Sequence, residues 1–86
     1  ILYFETSDIV HKVILYTKEE QIEFYGSLSQ IEKSDPRLFK CHKSFLINPE
    51  NIIKLDKSTG TAYFENGGVC YVSKLKLKKL LERISL

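Results

Sequence analysis

The sequence predicts a small, mostly β domain with two short helices. Three observations lead there. Ile, Val, Phe, Tyr and Thr, the residues that fit a pleated and half-buried surface, are plentiful, while Met and Trp are absent. Turn chemistry recurs about every 8–12 residues, the spacing of an all-β sandwich or barrel. A helical period surfaces in only two places, after Ser27 and after Ser73.

Ile1 to Glu5 reads as a strand that runs into the turn residues Thr6-Ser7-Asp8. His11 to Tyr16 reads as a second strand and Gln21 to Tyr25 as a third, with the charged tip Lys18-Glu19-Glu20 between them. In the third, Ile22 and Phe24 fall on one face and Glu23 and Tyr25 on the other, and the pair suggests a hairpin. Gly26-Ser27 changes the period. Ser27 and Gln30 have the spacing of a capping box, and Leu28 and Ile31 share a helix face. Asp35-Pro36 ends that helix, because a residue before proline avoids the α region.

Phe39 to Ile47 holds two apolar runs split by His42-Lys43-Ser44, and Asn48 to Asn51 reads as a turn. Strands follow at Ile52 to Asp56, Thr61 to Glu65 and Val69 to Val72. Ser58-Thr59-Gly60 turns between the first two. Asn66-Gly67 turns between the last two, as a hairpin pair in which both residues tolerate positive φ. Ser73 is placed to cap the final helix, whose Leu77, Leu80, Leu81 and Ile84 make one apolar stripe. Lys76, Lys79 and Arg83 lie on one flank of that stripe, Lys74 and Lys78 on the other.

At 86 residues the chain makes one domain with one core, and its 43% apolar content argues against disorder. A chain this short buries only roughly 60–65% of its unfolded surface. The net charge of +2 is uninformative, but its distribution is not: from Tyr71 onward five cations face one acid, so the remainder is net negative. A basic patch on such a domain fits a polyanionic partner. A solvated helix face explains the same charges. No run reaches the ~18 apolar residues of a membrane helix, and no signal-like segment is present, which points to the cytoplasm and reduced thiols. The strand-like opening at Ile1, with no turn or cap before it, reads as a cut from a longer protein.

Enzyme chemistry finds little support. The four glycines form neither a phosphate loop nor a dinucleotide fingerprint, and neither G-x-S-x-G nor H-E-x-x-H occurs. Cys41, His42, Cys70 and His11 follow no zinc spacing, and Cys41 and His42 point to opposite faces if that segment is extended. No metal or cofactor is therefore expected. Cys41 and Cys70 read as buried hydrophobe-like thiols or, since each lies in a strand beside a loop, as a possible redox pair. His42 reads as a half-buried polar residue, while His11, following a turn, is expected to expose its ring.

The segment Lys40-Cys41-His42-Lys43-Ser44-Phe45-Leu46-Ile47-Asn48 closely resembles the signature of LytTR-type DNA-binding domains, roughly R-x-H-(R/K)-S-(F/Y)-(L/I)-(V/I)-N. Ile1-Leu2-Tyr3-Phe4-Glu5 resembles the family's early strand, and Gln21 to Ser27-Leu28 its strand-to-helix junction. Ser73-Lys74 with Leu80 resembles its closing helix. The likeness covers essentially the whole chain. The Gln21 to Gly26 block and Cys70-Tyr71 point to the AgrA-like branch of bacterial response regulators, which serves quorum sensing.

The resemblance implies an elongated stack of antiparallel β-sheets with short helices. It implies duplex DNA as partner, read at promoter direct repeats by loops rather than a recognition helix, with dimerisation on DNA a possibility. It implies a domain over residues 1–86 that follows a receiver domain in the full-length chain of a two-component transcription regulator. Carried over by position, His11 and Lys43 become base contacts. Lys12, Lys40, Ser44, Lys74, Lys76 and Lys79 become contacts to phosphate or base. Leu75 falls where a DNA-contacting Arg is expected, which leaves the third loop's reading open, and Lys40 stands where Arg is frequent. A protein-interaction module with its basic C-terminal helix on an acidic partner is the alternative. Duplex binding that falls with salt and varies with sequence separates the two.

Overall fold

The computed structural model describes residues 1–85; the expected domain bound at Leu86 lies outside them. Eight strands and two helices follow the order β-β-β-α-β-β-β-β-β-α. The strands are β1 (Tyr3–Thr6), β2 (Lys12–Tyr16), β3 (Gln21–Tyr25), β4 (Phe39–His42), β5 (Phe45–Ile47), β6 (Lys54–Asp56), β7 (Thr61–Tyr63) and β8 (Val69–Tyr71). The helices are α1 (Leu28–Ser34) and α2 (Lys74–Ile84), and a 3-10 turn spans Pro49–Asn51. All strand pairs are antiparallel. A five-stranded sheet runs β3-β2-β1-β5-β4, and a three-stranded sheet runs β6-β7-β8.

Alternation along the central strands gives the larger sheet two buried faces. Phe4 and Leu46 point to one face, where Val13, Leu28 of α1 and Leu38 join them. Tyr3, Phe45 and Ile47 point to the other, where they meet Ala62, Phe64, Cys70 and Val72 of the smaller sheet and its flank, and Leu80 of α2. The sheets are thus stacked, with α1 on the outer side. Phe64, Leu46, Ile47 and Leu80 are among the side chains removed from water entirely or nearly so, each contributing roughly 1.5–3 kcal/mol.

Local chemistry sets the helix bounds. Ser27 Oγ accepts from Gln30 N at 3.2 Å and opens α1. Ser73 stands at the N-cap of α2 but makes no side-chain cap bond; its carbonyl instead accepts from Lys76 N and Leu77 N, both at 3.0 Å. The Asn66-Gly67 hairpin differs from the two-residue form. Gly67 N donates to Phe64 O and Phe64 N to Gly68 O, both at 3.0 Å, which closes a three-residue loop with only Gly67 (φ 82°) left-handed.

β4 carries a bulge. Phe39 pairs with Ile47 and Lys40 with Leu46, but His42 rather than Cys41 pairs with Phe45. The extra residue breaks the alternation expected of this segment. Cys41 is buried in the core between the sheets, and the neighbouring His42 ring lies 5.8 Å from that of Phe45, which faces the same core.

Candidate nucleic-acid interface

The register of β1 decides which loops share an end of the larger sheet. Thr6 closes β1 beside Val13 of β2, and Thr6 N donates to Ser44 O at 3.0 Å. The β1–β2 loop and the β4–β5 turn therefore emerge side by side. The junction of β3 with α1 joins them through Gly26 N, which donates to His11 O at 2.9 Å.

His11 heads β2 with φ 66°, the left-handed region that costs an L-residue roughly 1–2 kcal/mol. The loop is held around it: Ser7 N donates to Lys12 O at 3.1 Å, Lys12 N to Ile9 O at 3.1 Å and Ile9 N to Ser7 Oγ at 3.0 Å. The Ser7 hydroxyl donates to the Glu23 carboxylate on β3. This backbone turns the His11 ring outward, and it is exposed as expected. Ile9 and Val10 beside it are exposed as well.

A concavity of about 300 Å³ opens between these segments, and His11, Lys12, Lys40 and Lys43 all line it. Lys43 is exposed at the β4–β5 turn. Lys40 reaches in from β4, half-buried, with its Nζ 3.3 Å from Ser29 Oγ of α1. Lys12 Nζ lies 4.8 Å above the Tyr25 ring. Ser44 is half-buried, and its N–H donates to His42 Nδ1 at 3.1 Å, so it shapes the turn that presents Lys43. On the far side of His11 a second depression is lined by Tyr25, Ser27 and Gln30. Neither Tyr25 nor Gln30 is among the contacts expected from the sequence. An aromatic at 75% exposure next to a lysine marks Tyr25, but the alternation of β3 only set it opposite Phe24. A roomier concavity of about 550 Å³ lies at the other end, between the C-terminal half of α2, the 3-10 turn and β6, and none of the expected DNA contacts lines it.

The lysines of α2 divide. Lys74 and Lys79 are exposed. Lys76 is half-buried with its Nζ 5.9 Å from the centre of the Phe39 ring, and Arg83 covers the same ring at 5.8 Å while donating to the carbonyls of Pro36 and Leu38. Arg83 thus ties α2 to the segment before β4. The start of α2 is tied to the basic end of the sheet: Ser73 N donates to Cys41 O at 2.9 Å, and Tyr71 packs edge-on against Phe45.

Cys41 and Cys70 are both free and fully buried in the core between the sheets. Cys41 Sγ lies 3.3 Å from Tyr71 O. Burial pushes the Cys41 thiol up to about 12 and raises that of Cys70 as well, so both stay protonated at neutral pH. Among the described residues no His, Cys, Asp and Glu cluster has the makings of a metal site, and no helix is long and apolar enough to cross a membrane.

A β-rich domain that gathers lysines from two strand ends and a turn at one end of a sheet carries a basic patch suited to a polyanion. The family profile of the LytTr DNA-binding domain matches residues 1–85, and the chain belongs to that family, whose class of function is DNA binding. Accessory gene regulator protein A of Staphylococcus epidermidis is 41% identical over 80 residues, covering 93% of this chain and 34% of that protein. Its Staphylococcus aureus counterpart is 40% identical with the same coverage. The chain thus spans about a third of the length of these relatives. A solved LytTr DNA-binding domain from Bacillus cereus superposes with a TM-score of 0.81 over 100% of this chain and 82% of that one; at 21% identity this is a likeness of fold.

Proposed function

We propose that this chain is the output domain of a cytoplasmic two-component transcription regulator with a role in quorum sensing, joined to a receiver domain in the full-length chain. It binds duplex DNA sequence-specifically at promoter direct repeats. The observation that carries this reading is the convergence of His11, Lys12, Lys40 and Lys43, from two separate stretches of sequence, on one concavity at the end of the larger sheet.

The chemistry divides by position. Lysines neutralise phosphates and release counterions, which supplies affinity without sequence information. An imidazole N–H or an ammonium projected from a loop donates to guanine N7 and O6 in the major groove, which supplies discrimination. His11 and Lys43 stand at the mouths of their loops and take the second role; Lys12, Lys40, Lys74 and Lys79 take the first. Lys12, Lys40 and Lys76 are half-buried and already engaged, with Tyr25, Ser29 and Phe39 respectively, so each leaves that partner to reach a phosphate.

Selection of bound fragments from random duplex DNA, followed by titration of the selected duplex across a salt series, tests the reading. Enrichment of a common sequence and a linear fall of log affinity with log salt, about 0.9 per phosphate contact, is the expected result. Affinity indifferent to both sequence and salt would overturn it in favour of a protein partner.

A further inference from the structure

The concavity of about 550 Å³ lies at the end of the molecule that the expected DNA contacts leave unused, and strand register places it there. Tyr3 of β1 pairs with Ile47 of β5, and Ile47 with Phe39 of β4, at the end of the larger sheet opposite Thr6. Arg37 comes just before Phe39 and the 3-10 turn Pro49–Asn51 just after Ile47, so both segments border the concavity. The last turn of α2 and β6 form its other walls.

Those two walls hold apolar side chains that the core does not absorb. α2 docks through the fully buried Leu80, yet Ile84, one turn further on, stays 40% exposed. Ile53, just before β6, is 66% exposed, while Ile52 and Leu55 beside it pack against the core. β6 is the outer strand of the smaller sheet and pairs only with β7. A short edge strand with a lysine on it is also how proteins blunt an edge, so the edge alone says nothing of a partner. The charges do. Arg37, Lys54 and Arg83 line the concavity against one acid, Glu50. Arg37 is taken by Asp35 at 2.7 Å, but neither Lys54 nor Arg83 has a carboxylate partner among the described residues.

An occupant that complements this surface brings carboxylates to Lys54 and Arg83 and apolar groups to Ile53 and Ile84. An extended polypeptide segment rich in acidic and apolar residues has that form: its backbone bonds to the open edge of β6 while its side chains meet the cations and the isoleucines. We propose that the groove between α2 and β6 docks an extended acidic segment of a separate protein, added as a strand at β6, while the opposite end of the domain holds DNA. The groove faces away from the loops that carry His11 and Lys43, so it stays open to another protein in the DNA-bound state. The proposal goes beyond the duplex-binding reading and does not rest on its base contacts.

The test selects short random peptides displayed on phage against the 86-residue chain, both free and bound to its selected duplex. Peptides with several carboxylates and interspersed apolar residues are expected from both selections, and a synthetic copy of one serves as the probe. Lys54→Glu is expected to weaken the probe about tenfold or more through like-charge repulsion. Ile53→Ala is expected to weaken it at least about fourfold, the factor for one methylene-sized group left in water. Both residues are exposed, and an unchanged urea midpoint and duplex affinity confirm that the variants are folded. Lys33→Glu, an equal charge change on α1 outside the groove, is expected to leave probe affinity unchanged. Slower amide exchange in β6 on probe binding marks the added strand. Selection of no peptide, of peptides without acids, or of peptides that bind only the free chain overturns the proposal. Equal losses in Lys33→Glu and Lys54→Glu, or unchanged exchange in β6, overturn it as well. A chain that self-associates and loses its dimer in Lys54→Glu overturns it in favour of a second copy. A full-length chain that refuses the probe overturns it in favour of that chain's own preceding segment. A chain that takes the probe but enriches no duplex keeps the groove and removes the duplex reading instead.

Discussion

His11→Gly is expected to stabilise the fold while weakening DNA binding, because the same residue bears backbone strain and presents the reading group. At φ 66° the histidine sits where an L-residue pays roughly 1–2 kcal/mol, and glycine sits there freely. Glycine loses more chain entropy on folding, about 0.5–1 kcal/mol, so the net gain is on the order of 0.5–1 kcal/mol. The ring is exposed, so little packing is lost, and the backbone bond from Gly26 N to His11 O survives the change. Each kcal/mol corresponds to about 4–8 °C in Tm for a domain of this size. His11→Ala keeps the strained backbone and should leave stability nearly unchanged. Urea and thermal unfolding of the three proteins measure the stability arm, and titration of the selected duplex measures the binding arm, where both variants lose alike. A His11→Gly protein less stable than His11→Ala would show that the left-handed turn is not strained. A glycine variant that binds like the wild type would show that the imidazole has no part in recognition.

Other outcomes follow from the same geometry. Gly60→Ala should cost at least about 2 kcal/mol in urea unfolding, because its φ is 65° and a Cβ there would lie 2.8 Å from the Val72 carbonyl oxygen. Lys74→Ala and Lys79→Ala should each flatten the salt slope by about one unit and weaken all duplexes alike, whereas Lys76→Ala should change the slope less and lower stability through the exposed Phe39 ring. The Arg37 guanidinium, bonded to Asp35 at 2.7 Å, holds that carboxyl down at about 2, so the pair's small contribution is complete above about pH 4 and is lost as pH falls toward 2. Carbon-detected NMR titration with an Asp35 midpoint near 4 would contradict this. Cys41 and Cys70, buried and protonated, should resist iodoacetamide at pH 8 in the folded protein and react in urea. Their proposed redox pairing then needs an opening of the core, and mass spectrometry of diamide-treated protein at rising urea concentrations would reveal it.

The strands of the larger sheet were legible because alternation is a local signal: Phe4 and Leu46 inward on one side, Tyr3 and Ile47 on the other, follows from the two-residue period. The bulge at Cys41 was not, because one extra residue opposite Phe45 leaves no mark in composition. The turn at Asn66-Gly67 was placed correctly, yet its loop length depends on where β7 stops pairing. Of the site, exposed His11 and Lys43 were visible as polar interruptions between apolar runs, and the resemblance to LytTR domains supplied their roles. The convergence of Lys40 and Lys43 with His11 depends on β5 lying beside β1, a long-range pairing that no local pattern announces. Periodicity places Lys76 on one flank of the helix, but the helical wheel is blind to Phe39, which arrives from β4.

On the proposed function, loops at one end of the larger sheet read base edges through His11 and Lys43. Paired titrations of wild type, His11→Ala and Lys43→Ala against the selected duplex and a random duplex, at one fixed salt concentration, decide whether they do. Each variant is predicted to lose about 1–3 kcal/mol on the selected duplex and much less on the random one, so that the ratio of the two affinities collapses. Variants that keep the wild-type ratio, whatever their absolute affinity, would contradict the claim and reduce both residues to phosphate contacts or bystanders.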